Sequence, residues 1–293
     1  MSAGAGSRAK LYDRVAEETA SVVIRRYSTS FGLAARLLEP GVRQHIENIY
    51  ALVRLADEIV DGEAAAAGLT VAEAGRVLND LERETEFAMD HGYSSNLVAH
   101  AFGMTARETG FDRGLTEPFF DSMRSDLTET ERDQASFDRY VYGSAEVVGL
   151  MCLKVFLHGI EHSTAELAEL EAGARALGAA FQKINFLRDL ASDSRDLGRN
   201  YFPGVLLDTF SEADKNRLLD DIDGDLMVAA QAIPKLPASS RRAVSLAQSL
   251  FSDLAARLRA TPTARLVATR VRVPGRAKAR IAAAAVLRRT PSA

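Results

Sequence analysis

The chain has 293 residues, 47% of them hydrophobic and only 7% aromatic, with a formal net charge of −4 and a pI near 5.8. That is ample apolar material for a core, it gives no electrostatic case for nucleic acid as a partner, and Cys152, the one cysteine, excludes a disulfide within the chain. Tryptophan is absent and Ala and Leu abound, so the expected fold class is all-α, a single domain over 1–293 with a basic tail from about 260.

The opening MSAGAGSRAK has no apolar core behind its positive residues, so no secretory leader is expected. No run approaches the length of apolar sequence that crosses a bilayer, and the expected location is the cytoplasm. A first helix is expected over 10–26, where Leu11, Val15, Thr19, Val22 and Val23 are spaced for one face. Residues 27–31 break it with serines, which either cap the next helix or offer hydroxyl and N–H groups to phosphate. Pro40 and Gly41 precede a helix that closes near Asp61-Gly62, and the alanine run after Glu63 reads as a connection. A capping box at Thr70 to Glu73 opens a helix to about Asp90 with a charged outer face.

Helices over 96–110 and 116–131 follow, with Pro118 expected in the first turn of the second. Asp121, Arg124, Ser125, Asp126 and Glu129 read as paired charges on a surface helix, with Asp126 as a partner behind a site in the alternative. One helix over 136–158 runs from polar to strongly apolar. Its glycines, Gly143 and Gly149, either let another helix approach or leave room for a ligand. A capping box at Ser163 to Glu166 starts a long helix to about Gly198. Ser211 to Asp214 caps another to about Ile233, and Ser239 or Ser240 starts one through Arg259.

Two of these helices carry directed polar chemistry. In QKINFLRDLASDSRDLGRNYFP, Gln182, Asn185, Asp189, Asp193 and Asp196 recur at steps of three and four and share one stripe. In YALVRLADEIVD, Tyr50, Arg54, Asp57 and Asp61 do the same, so each helix presents an Asp-x-x-x-Asp pair. Like charges four residues apart cost about 0.2–0.5 kcal/mol per pair, and something positive must face them. Either neighbouring arginines (Arg188, Arg195, Arg199) supply it, leaving a structural salt-bridge network, or divalent metal does. Mg²⁺ is typically held by one or two carboxylates plus substrate phosphates, so two opposed pairs suit a diphosphate. Asp57, Asp61, Asp189 and Asp193 are the assigned ligands, helped by Glu58, Asn185 and Asp196. Arg54, Arg188 and Arg199 offer forked donors to phosphate oxygens.

With YSTSFGLAARLL (27–38) and YVYGSAEVVG (140–149), these stretches give the chain a resemblance to the squalene and phytoene synthases, which join two prenyl diphosphates head to head. The resemblance covers about 25–205 and implies a helical bundle of the isoprenoid synthase type enclosing a central cavity. It implies that Ser28 and Phe31 line that cavity, that Tyr50, Gln182, Asn185 and Tyr201 serve the substrate with the arginines, that Arg270 reaches a diphosphate, and that Tyr140 contacts a carbocation, with Tyr142 also facing inward. Glu146 departs from the glycine of many relatives. The cofactor implied is Mg²⁺, with Mn²⁺ as the alternative and no NAD(P)H. The substrate implied is geranylgeranyl diphosphate and the product phytoene; the second reading is farnesyl diphosphate and a squalene-type product. The rivals are a non-catalytic helical assembly factor, expected to have lost carboxylates, and a terpene cyclase. Beyond Asp253 the chain has basic but no acidic residues, a tail that is either a solvated charge run or a contact with anionic lipid at the inner face of a membrane.

Overall fold

The computed structural model describes the backbone of residues 3–61, 63–196 and 199–287, and the side chains of 10–61, 63–191 and 199–285. Among these residues the regular structure is helical, and the one β-type contact is an isolated bridge between Glu131 and Asn200. The order is α1 (Ala3–Tyr27), α2 (Ser30–Ala35), α3 (Pro40–Val60), α4 (Glu63–Ala66), α5 (Val71–His91), α6 (Leu97–Thr109), α7 (Arg113–Asp126), α8 (Gln134–Val141), α9 (Val147–Leu157), α10 (Thr164–Asp196), α11 (Glu212–Ala232), α12 (Ala238–Ala260), α13 (Thr263–Leu266) and α14 (Gly275–Leu287). A π-helical turn, Tyr142–Glu146, joins α8 to α9.

Local signals set many of these boundaries. The Thr70–Glu73 and Ser211–Asp214 capping boxes are both reciprocal, and Asn96 accepts from the Val98 and Ala99 amides at the start of α6. The Ser163 and Glu166 side chains each bond the other's backbone amide. Elsewhere the expected boundaries move. Asp112 caps α7 three residues early, so Pro118 lies inside the helix and not in its first turn. Pro237, not a serine, precedes α12. The alanine run after Glu63 is a helical turn, and residues 263–266 and 275–287 are helical too.

α3 shows how the core is divided. Ile49, Leu52, Ala56 and Val60 are buried against α1, α5, α6 and α7, each larger side chain contributing about 1.5–3 kcal/mol of apolar burial. On the adjoining face Tyr50, Val53, Arg54 and Asp57 look into a cavity. A second core unites α8, α10, α11 and α12 with the 201–210 segment. The span Gln134–Leu157 is, contrary to expectation, long and apolar enough by length and composition to cross a membrane; here it packs between α3, α7 and α10.

α9 and α10 run antiparallel at backbone contact. A Cβ on Gly149 would collide with the Ala174 carbonyl oxygen, and one on Gly178 with that of Ala145. Both glycines also border the cavity, so close approach and open space have one cause.

Candidate active site

The cavity has a volume of about 570 Å³, within the usual range for ligand sites. It is a slot with unlike ends. On α10 the lining residues run from Leu170 to Arg188, about 27 Å of helix at 1.5 Å per residue. The end nearer the C-terminus of α10 is polar, with Gln182, Asn185 and Arg188 joined by Tyr50, Arg54 and Asp57 of α3. The other end is apolar, closed by Phe156, Leu170 and Leu236.

Tyr50, Arg54 and Asp57 of one stripe and Gln182 and Asn185 of the other thus face one space, as helix periodicity allows of residues three and four apart, while Asp61 and Asp189 are not on its wall. The Asp57 carboxylate accepts no hydrogen bond from the described residues, and its pKa stands well above the ordinary carboxylate range. Burial is the main cause, Asp61 adds to it, Arg54 opposes it, and Asp126 and Glu58 contribute further. Arg54 pairs with Glu58 and lies 4.7 Å from the Tyr27 ring centroid. Its Nε, like the Ser144 hydroxyl on the same wall, is buried without a partner. Unpaired buried donors beside a buried carboxylate fit a diphosphate and its counter-cation.

Arginines hold the remaining described carboxylates. Arg270 bonds Asp189 through Nε at 2.7 Å and Nη2 at 3.0 Å, and Arg188 Nε meets it at 3.0 Å. Arg199 Nη1 donates to Asp61 Oδ1 at 2.8 Å. Among the described residues no three acidic, His or Cys side chains are arranged to hold a metal. Of the assigned carboxylates described, Asp57 alone lines the slot, while Asp61 is held by Arg199 and Asp189 by Arg188 and Arg270, which do line it; Mg²⁺ takes one or two carboxylates alongside phosphate, which this set can supply. The assigned roles of Asp193, Arg195 and Asp196 lie outside the described residues.

Three expectations for tyrosines are corrected. Tyr140 is buried away from the cavity wall: its hydroxyl donates to Asp126 at 2.6 Å and its ring stacks on Tyr201, so it cannot touch a carbocation in the slot. Tyr201 and Arg199 likewise sit behind the wall, with the Tyr201 hydroxyl accepting from Arg199 at 3.2 Å. Tyr142 faces the opposite side, under Arg175, which also pairs with Glu146 at 2.6 Å. The Glu146 departure therefore does not reach the cavity. Asp126 is no surface residue; it is buried, and burial pushes its carboxyl up to about 6 despite Arg199, Tyr140 and Arg132.

Ser28 does both things open to it: its hydroxyl accepts the Phe31 amide at 3.1 Å and it lines the cavity. Phe31 meets Phe181 and Phe251, both at 5.5 Å between ring centroids, an aromatic group on the wall that periodicity did not single out. Phe181 carries a faint signal, standing beside Gln182 in the polar stripe; Phe251 carries none. Cys152 also lines the slot, and burial pushes its thiol up to about 12, which leaves it unreactive.

A model of the squalene/phytoene synthase family matches residues 24–277. The chain belongs to this family. It is 30% identical over 194 residues to the 15-cis-phytoene synthase of Paracoccus sp., covering 65% of this chain and 60% of that protein. With the phytoene synthase of Mycobacterium tuberculosis it shares 27% over 283 residues, 90% and 88% of the two chains. With the chloroplastic phytoene synthase 1 of Solanum lycopersicum it shares 32% over 202 residues, 68% of this chain and 45% of that one. The chain thus spans about half the length of some curated relatives it matches. Its fold is similar to that of a dehydrosqualene synthase solved with a ligand, at TM-score 0.76 and 19% identity over 94% of this chain and 96% of the other. A squalene synthase from Alicyclobacillus acidocaldarius gives 0.72 and 18% over 85% and 95%. The family's isoprenoid-synthase bundle is the architecture found.

Proposed function

We propose that this family member is a divalent-cation-dependent prenyltransferase that condenses two geranylgeranyl diphosphates head to head, through a cyclopropyl diphosphate, to phytoene and pyrophosphate. The observation that carries the reading is the slot itself: three arginines and Asp57 gather at one end and hydrocarbon lines most of the rest. Arg54, Arg188 and Arg270 hold diphosphate oxygens in forked hydrogen bonds and stabilise the charge that grows on departing pyrophosphate. Asp57, Asp61 and Asp189 are the residues that would hold Mg²⁺, which would supply Lewis-acid stabilisation of the same leaving group. Gln182 and Asn185 orient the phosphates from the α10 side. The Phe31, Phe181 and Phe251 faces offer an allylic cation about 0.5–2 kcal/mol each, and the apolar lining excludes the water that would quench it.

The second reading, two farnesyl diphosphates and a squalene-type product, draws support from the likeness of fold to the squalene and dehydrosqualene synthases. Exposed Arg265, Arg272, Arg276 and Arg280 support peripheral contact with anionic lipid, each basic group adding about 1 kcal/mol. Purified protein incubated with Mg²⁺ and each prenyl diphosphate should release pyrophosphate and form a C40 hydrocarbon from the C20 substrate. A C30 product alone would select the second reading; no pyrophosphate from either substrate would remove the enzyme reading.

A further inference from the structure

Behind the polar end of the slot, and off its wall, lies a second arrangement of charge. Asp126 at the end of α7 and Arg132 in the loop that follows form a pair at 2.9 Å, with 3% and 1% of their side chains exposed. The second oxygen of Asp126 takes the Tyr140 hydroxyl, while Arg132 lies 3.9 Å from the Tyr140 ring centroid and 5.6 Å from that of Tyr201. Tyr201 in turn accepts from Arg199, whose Nη1 also reaches Asp61 and whose Nη2 donates to the Val60 carbonyl at 2.5 Å. The backbone follows the same route, since the Asn200 amide donates to the Thr130 carbonyl at 2.7 Å.

A buried ion pair is a poor device for stability, because desolvation offsets its Coulombic gain. This pair ends a continuous path to Asp61, one of the carboxylates assigned to the cation. We propose that Arg132 and Asp126 are positioning residues that, through Tyr140 and Tyr201, hold Arg199 so that the nitrogen it presents to Asp61 is shared with the Tyr201 hydroxyl. Tyr201 shares the Nη1 that reaches Asp61, and the Val60 carbonyl occupies Nη2. Released from Tyr201, Arg199 would give Nη1 to Asp61 alone and compete more strongly with a cation for it. Neither Arg132 nor Asp126 touches substrate. The inference rests on the cation-dependent reading given above.

The test is a Mg²⁺ titration read in two ways: the initial rate, and the rise in melting temperature that Mg²⁺ produces with inorganic pyrophosphate. In Asp126→Asn the half-maximal Mg²⁺ concentration should rise about tenfold or more in both, the usual effect of losing a group that orients a metal ligand, with KM at saturating Mg²⁺ unchanged. Glu129→Gln, which removes only the exposed partner of Arg132, should titrate like wild type. Should Asp126→Asn fail to fold, the apolar double variant Asp126→Leu with Arg132→Met, of a kind that often keeps stability, and the near-isosteric Tyr201→Phe must show the same rise. A folded variant that titrates at the wild-type Mg²⁺ concentration overturns the positioning role. Wild-type protein that responds to Mg²⁺ and pyrophosphate yet makes no hydrocarbon overturns the condensation reading and leaves the positioning role standing on the melting titration. Wild-type melting that ignores both ligands overturns the cation reading and the inference together.

Discussion

Arg270 and Asp189, 81 residues apart in the chain, meet at the polar end of the cavity through two hydrogen bonds of 2.7 and 3.0 Å. Arg270 also lines the slot, so the last basic segment of the protein is latched to the helix that carries the second acidic pair. Diphosphate and cation would separate the two, each taking one partner.

Arg270→Ala should therefore weaken substrate binding far more than it weakens the fold. Charge-assisted hydrogen bonds are worth about 1.5–3 kcal/mol, which predicts a KM roughly 10- to 100-fold higher. The side chain of Arg270 is half exposed, and an exposed pair contributes only about 0.2–1 kcal/mol to stability. Steady-state kinetics beside thermal melting checks both halves; an unchanged KM would contradict the contact.

Asp57→Asn should lower turnover by about 10²-fold or more while stabilising the cation-free protein at neutral pH. The folded state holds the Asp57 carboxyl above its unfolded value, so the folded protein binds the proton more tightly than the unfolded one. The resulting penalty is absent below the unfolded pKa of about 3.8 and develops as pH rises through the folded value. Melting without Mg²⁺ should show the variant ahead at pH 7 and level with wild type near pH 4; with Mg²⁺ the advantage should shrink or reverse. Equal melting temperatures at all pH values would contradict the burial of this charge.

Phe156, partly buried, packs against three hydrophobic clusters and closes the apolar end of the slot, twelve residues along from Ser144 or about 18 Å of helix. Phe156→Ala should admit longer prenyl chains, and Cys152→Phe, one turn nearer the polar end, should shift the preference from C20 to C15. Phe→Ala costs about 3–5 kcal/mol in a closed core, and less here because the side chain already borders open space. Product chain lengths from mixed substrates provide the measurement, and unchanged profiles in both variants would place the stop elsewhere.

Gly149→Ala and Gly224→Ala should have opposite signs. At Gly149 the new methyl meets the backbone of α10, which has nowhere to move, and overpacking of this kind costs about 1–3 kcal/mol. At Gly224 on α11 a Cβ meets nothing within 4 Å, so the helix gains up to about 1 kcal/mol. Denaturant midpoints for the two variants would separate these effects.

What the sequence determined by itself was everything governed by spacing along a single helix. Apolar period, reciprocal caps at Thr70 and Ser211, and the stripes through Asp57 and Asp189 are local, so each could be read without knowing its neighbours. Tertiary structure decided which faces meet. Tyr140 and Tyr201 bear polar tips that suit a cavity, yet a buried Asp126 and Arg132 draw them into a network behind it. Phe251 reached the wall from a helix with no polar mark, and Arg199 found Asp61 across 138 residues. Such partnerships depend on the angle and distance at which helices cross, set by close contacts such as those of Gly149 and Gly178, and the period of one segment carries no record of them.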